Sequence, residues 1–68
     1  MDGKLFATIR KLEGFNQHNL ALKLGVSQSL IAKMEQGERT ITEHMERRLL
    51  RELDITPEKL AVIKLLIA

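Results

Sequence analysis

Apolar residues recur along the chain at helical intervals. Phe6 and Ile9 share one face, Leu20, Ala21 and Leu24 form an i, i+1, i+4 set, Ile31 and Met34 are three apart, and Met45, Leu49 and Leu53 follow at intervals of four. Gly14, Gly25 and Gly37 interrupt these stripes, and Pro57 opens the last one. The pattern predicts helices from about Lys4 to Leu12, Gln17 to Leu24, Ser27 to Gln36, Glu43 to Leu53, and Pro57 to about residue 67. Asn16, Ser27, Thr42 and Thr56 stand where N-caps belong, and Gly25 where a helix end favours a left-handed residue. Alternating apolar and polar positions bounded by turn residues do not occur, so the predicted fold class is all-α.

The fifth segment departs from a simple amphipathic pattern. Leu60, Ile63 and Ile67 make one stripe suited to the core, and Val62, Leu65 and Leu66 make a second. A helix apolar on more than one side calls for burial on more than one side. Residues 62, 65 and 66 are therefore the candidate surface for a second copy of the chain, or for another protein; a frayed tail with exposed aliphatics is the plainer alternative.

Composition narrows the function. The 68 residues suffice for one domain, spanning 1–68, and a domain of this size buries only about 60% of its unfolded surface. There is no cysteine, which excludes disulfides, thiolate metal sites and thiol nucleophiles. His18 and His44 are the only histidines and have no neighbours at metal-ligand spacing, so neither metal nor cofactor is expected. No nucleophile–base pairing and no glycine-rich phosphate loop appears, which argues against an enzyme. Two phenylalanines are the only aromatics, too few for a single-strand stacking platform. The net charge is +2, which permits nucleic-acid binding without indicating it. The start Met1-Asp2-Gly3-Lys4 lacks the apolar run of a secretory signal, and Leu60–Ala68 is too short to span a bilayer; a soluble cytoplasmic protein is expected.

The second and third helices are joined by little more than Gly25 and Val26. A turn of about three to four residues containing glycine between two helices is the helix-turn-helix signature, here spanning about 17–36. On the third helix Ile31 and Met34 fall inward, and Ser29, Ala32, Lys33 and Gln36 fall outward, with Gln28 on the flank. Small residues permit close approach, and Gln28 and Lys33 can donate to base edges: glutamine suits adenine and lysine suits guanine. Arg47, Arg48 and Arg51 read as a solvated basic face supported by an i, i+4 pair between Glu43 and Arg47, with a direct DNA contact as the lesser alternative.

The segment from Gln17 to Gly37, read as QHNLALKLGVSQSLIAKMEQG, resembles the phage-repressor/Cro (Xre-type) family, and the similarity extends outward through Arg10, Gly14-Phe15 and Leu53-Asp54-Ile55-Thr56. The resemblance implies a compact five-helix, lambda-repressor-like domain. It implies base-reading roles for Gln28, Ser29 and Lys33, and phosphate contacts for Gln17, Gln36, Arg39, Thr40 and Thr42. It also implies an ion pair between Arg10 and Glu35, which follow the core residues Ile9 and Met34. The chain departs from the family pattern in three places. Asp54 replaces a glycine, a position Asp fills better than most residues; Ile41 stands where proline is frequent; and Glu43 and Glu46 put negative charge in the fourth helix, Glu46 where an apolar residue is usual.

The expected function is therefore sequence-specific binding of double-stranded DNA by a transcriptional regulator, a repressor of Cro-like, phage or mobile-element type. The expected form is a homodimer on a palindromic operator. The alternative is a protein-interaction module on the same fold, an antitoxin or adaptor that uses the apolar fifth helix.

Overall fold

A side-chain oxygen starts each of the five helices in the computed structural model, which describes residues 1–68. Asp2 accepts from the Leu5 N–H, Asn16 from Asn19, Ser27 from Leu30, Thr42 from Met45 and Thr56 from Lys59, at 2.7–3.1 Å. Each cap satisfies a donor that the helix itself cannot, and is worth about 1 kcal/mol. The helices are α1 (Gly3–Leu12), α2 (Gln17–Leu24), α3 (Gln28–Glu35), α4 (Glu43–Glu52) and α5 (Pro57–Ile67), with no strand. The first helix begins a residue earlier than its apolar stripe indicated, because Asp2 caps it. The third and fourth each end a residue earlier, at Glu35 and Glu52.

Four helices end by one device. An N–H two or three residues past the helix bonds back to a carbonyl five residues earlier: Phe15 to Arg10, Val26 to Ala21, Glu38 to Lys33 and Ile55 to Leu50. The residue before it sits in the left-handed region, as this motif requires. At the turn between α2 and α3 that residue is Gly25, φ 68°. At the end of α4 it is Asp54, φ 54°, the one non-glycine residue with positive φ. The family glycine is thus replaced by a residue that holds the same conformation. Val26 and Ile55 follow their left-handed residues and pack into or against the core, which sets the angle at which the next helix leaves.

The core is almost wholly aliphatic. Phe6, Ile9, Leu20, Leu24, Ile31 and Leu49 are its fully buried large side chains, joined by Leu5, Ala21, Met34, Ile41, Leu53, Ile55 and Ile63. Most are inward positions of the five stripes; Leu5 joins them from α1, and Ile41 and Ile55 from the connections. Ile41 stands where the family often has proline, and its burial explains why an aliphatic side chain serves there. Helix α3 packs on α1 and α2, α4 on α2, and α5 on α1. Leu60 and Ile67 of α5 lie against the core and Ile63 is buried in it. Lys59 Nζ, at the start of α5, reaches Glu13 Oε2 at 2.8 Å across the end of α1.

The tightest approach is between backbones. A Cβ added to Gly3 would lie 2.5 Å from the carbonyl oxygens of both Met34 and Glu35. The first turn of α1 rests directly on the end of α3, and only hydrogen fits between them. Gly3→Ala therefore inverts the usual sign. In an unconstrained helix the change stabilises by about 0.5–1 kcal/mol. Here it is expected to destabilise by about 1–3 kcal/mol, because backbone cannot give way as a side chain does. A urea titration reads the difference, and a raised midpoint for the alanine variant would show that the helices have room to separate.

Candidate nucleic-acid interface

Helices α2 and α3 form two arms around Gly25 and Val26, with Leu20, Ala21 and Leu24 of the first and Ile31 and Met34 of the second buried between them and α1. Burial of these side chains leaves the opposite face of α3 outward. Gln28, Ser29, Lys33 and Gln36 are exposed there, and Ala32 is half-buried among them. None of the exposed side chains makes a hydrogen bond within the chain. Their donors and acceptors are free for a ligand. Capping leaves the leading N–H groups of Gln17 and His18 on α2, and of Gln28 and Ser29 on α3, without a partner. Such groups favour an anion at a helix start.

The far end of α3 is held by charge. Arg10 Nε donates to Glu35 Oε2 at 2.7 Å and its Nη2 to Glu35 Oε1 at 2.9 Å, a two-pronged pair. A third donation, from Nη1 to the Phe15 carbonyl oxygen at 2.9 Å, ties in the turn between α1 and α2. Gln17 Nε2 completes the cluster, donating to Glu35 Oε1 at 3.1 Å. The side chains of Arg10 and Glu35 are 9% and 8% exposed, so the pair is interior. The hydrogen bond to Glu35 holds the arginine's pKa above its ordinary value, against the opposing pull of burial. With a raised pKa, the contribution of Arg10 is complete below the ordinary arginine value. It would be lost only as pH rose past the folded value, far into alkali.

The other residues singled out in the sequence fall as follows. Gln17 is half-buried beside Glu35, an arrangement eighteen positions apart in the chain that no local pattern indicates. Arg39 and Thr40 are exposed in the loop between α3 and α4, and exposed Thr42 caps α4. Val62, Leu65 and Leu66 are 55%, 78% and 72% exposed on α5. The expected pair of Glu43 with Arg47 does not form: the α4 ion pairs are Arg51 with Glu52, at 4.0 Å, and Glu46 with the Met1 ammonium, at 3.3 Å. No group of three potential metal ligands is gathered anywhere.

A family model described as helix-turn-helix matches residues 6–60. The chain belongs to this helix-turn-helix family. The match runs from the core of α1 through the turn and α3 to the first turn of α5, and supports the Xre/Cro type. No curated protein and no solved structure matched the chain. The family assignment makes this helix-turn-helix domain a DNA-binding regulator. No helix is long and apolar enough to cross a membrane.

The Arg10–Glu35 pair yields a sharp test. Arg10→Met strips Glu35 of two donors and is expected to cost about 3–5 kcal/mol, enough to unfold most of a small domain. Adding Glu35→Leu removes the stranded carboxylate and is expected to recover most of that loss, since well-packed apolar substitutes for a buried pair are often neutral. Chemical denaturation of the single and double variants checks both. A single variant as stable as wild type would show that water reaches the pair.

Proposed function

We propose that this helix-turn-helix domain is a transcriptional repressor of the Cro-like, phage or mobile-element type, working in the cytoplasm as a homodimer on a palindromic operator. The observation that carries the reading is the outer face of α3. Its inner face is locked to α1 and α2, while Gln28, Ser29 and Lys33 project outward with no intramolecular partner.

In this reading α3 lies in the major groove, the groove in which each base pair presents a distinct pattern of donors and acceptors. Gln28 and Lys33 donate to base edges, and Ser29 and Ala32 are small enough to let the helix come close. Gln17 at the start of α2 and Gln36 at the end of α3 face phosphates, as do Arg39, Thr40 and Thr42. The hydroxyl of Thr42 already accepts from the Met45 N–H, so its proton is what remains to donate. Binding, rather than catalysis, is the role, and neither metal nor cofactor takes part.

Dimerisation is assigned to α5. Val62, Leu65 and Leu66 expose apolar surface that no other part of the chain covers. A two-fold arrangement would bury it against itself and set two α3 helices one DNA turn apart, about 34 Å. The same exposed stripe supports a second reading, in which α5 docks on a different protein, as in an antitoxin or adaptor, and DNA contact is secondary.

Two measurements test the proposal. In the first, each variant is titrated against a selected site and single-base changes of it. Gln28→Ala is expected to lose about 1–3 kcal/mol on the preferred site and to retain non-specific binding; Lys33→Ala is expected to behave alike. Gln17→Ala is expected to weaken all sequences about equally with little change in salt slope, since glutamine is neutral. Uniform weakening by Gln28→Ala would remove α3 as the reading face. In the second, sedimentation of Leu65→Glu is expected to shift toward monomer, with operator binding falling in step. A wild type that stays monomeric both free and on DNA would leave the interaction reading in its place.

A further inference from the structure

The densest cationic stripe whose side chains make no hydrogen bond is not on α3. Helix α4 buries or half-buries Met45, Leu49 and Leu53 along one side, and its other side carries His44, Arg47, Arg48 and Arg51 at i, i+3, i+4 and i+7. Helical geometry places these four on one stripe. Arg47 and Arg51 are exposed and Arg48 is half-exposed. None of the three guanidiniums makes a hydrogen bond, and the nearest carboxylate, Glu52, is 4.0 Å from Arg51. By contrast Arg10 spends three of its donors on Glu35 and Phe15, and Lys59 is held by Glu13. The carboxylate best placed to neutralise the stripe is Glu43, and it leaves Arg47 unpaired; Glu46 is turned to Met1.

Like charges one helical turn apart oppose helix formation, and the packing of α4 does not require them. An anionic partner would remove that cost. From His44 to Arg51 the stripe rises seven residues, about 10 Å at about 1.5 Å each. One DNA strand carries about three phosphates over that length. The planar guanidinium fork matches phosphate geometry better than an ammonium does. In the chain the stripe follows closely on the exposed residues Arg39, Thr40 and Thr42 of the loop after α3 and the start of α4.

We propose that the His44, Arg47, Arg48 and Arg51 face of α4 is a second, sequence-independent contact for the phosphate backbone of duplex DNA flanking the site read by α3. The proposal rests on the reading of α3 as a duplex-DNA reader. It adds that DNA beyond the recognised bases is held by α4, which packs on α2. Flanking DNA thereby adds affinity without adding sequence information.

The test compares two duplexes, the selected site alone and the same site with about one further helical turn on each side, about 10 base pairs. Fluorescence anisotropy is read over a series of salt concentrations. Wild type is expected to bind the longer duplex more tightly and with a steeper salt slope. The triple variant R47Q/R48Q/R51Q is expected to bind the short duplex as wild type does. On the long duplex its slope falls by about 2.7, three contacts at about 0.9 each. Between 50 and 200 mM salt its affinity then drops about forty-fold less than that of wild type. The triple Arg→Lys variant is expected to restore most of the slope, because the charge is kept. Equal wild-type binding to both duplexes would overturn the proposal. So would an equal loss on the short duplex, which would make the arginines part of the primary footprint. Loss of binding to polyglutamate with DNA binding untouched would likewise overturn it, and would assign the stripe to an acidic protein. A failure of the α3 reading is separate: it shows in Gln28→Ala, which does not touch the stripe. Circular dichroism of each variant confirms that exposed Arg→Gln changes leave the helices intact.

Discussion

Glu35 occupies an adverse position. It is interior, and it is the last residue of α3, where the helix dipole already concentrates partial negative charge. A carboxylate there is tolerable only if strong donors converge on it, and the fold is arranged so that they do. Arg10, in the last turn of α1, brings two N–H groups to it and a third to the α1–α2 turn, and Gln17 brings one from the start of α2. One anion thus fixes the relative positions of three helices. Gly3 adds the complementary steric condition, since backbone contact at 2.5 Å from a would-be Cβ allows α1 and α3 only one separation. Apolar packing alone would let α3 slide or rotate by small amounts; directional charge and a hard backbone contact do not.

That rigidity bears on recognition. A reading helix discriminates bases only if its side chains arrive at a defined depth and rotation in the groove. In this domain the inner half of α3 is locked by Ile31, Met34 and Glu35, and its outer half is left without internal partners. The same cluster reaches Gln17, so the proposed phosphate contact at the start of α2 and the end of α3 are parts of one hydrogen-bonded unit. Positioning by phosphates and reading of bases would then be mechanically joined. The weak overall charge, +2, is consistent with such a protein because its cations are segregated. Arg10 is consumed inside, Lys59 pairs with Glu13, and three arginines that make no hydrogen bond, Arg47, Arg48 and Arg51, gather on α4.

The small size of the domain explains its reliance on local devices. A core of thirteen aliphatic, Met and Phe side chains has little surplus over the entropy of ordering the chain. Five side-chain caps and four matching helix ends supply many small, short-range contributions in place of one large one. Exposed Leu65 and Leu66 are apolar surface that the fold itself leaves uncovered.

The chain's own pattern determined the helices and the inward face of each. Capping and left-handed ends depend on a few neighbouring residues, and apolar periodicity depends on neither partner nor distance. Hence the turn at Gly25 and Val26 and the outward set on α3 were legible from local sequence, whereas the left-handed Asp54 was indicated by the family resemblance, which places a glycine there. The start of α1 was read one residue late because its cap, Asp2, precedes a glycine rather than an apolar residue. The arrangement of the helices was decided only in three dimensions. The Gln17–Glu35 bond, the contact of Gly3 with the end of α3, the burial of Ile41 and the Lys59–Glu13 pair join residues that no period relates. The missing Glu43–Arg47 pair shows the same limit from the other side. Sequence spacing brings two side chains within reach, but solvent and rotamer freedom determine whether exposed charges meet.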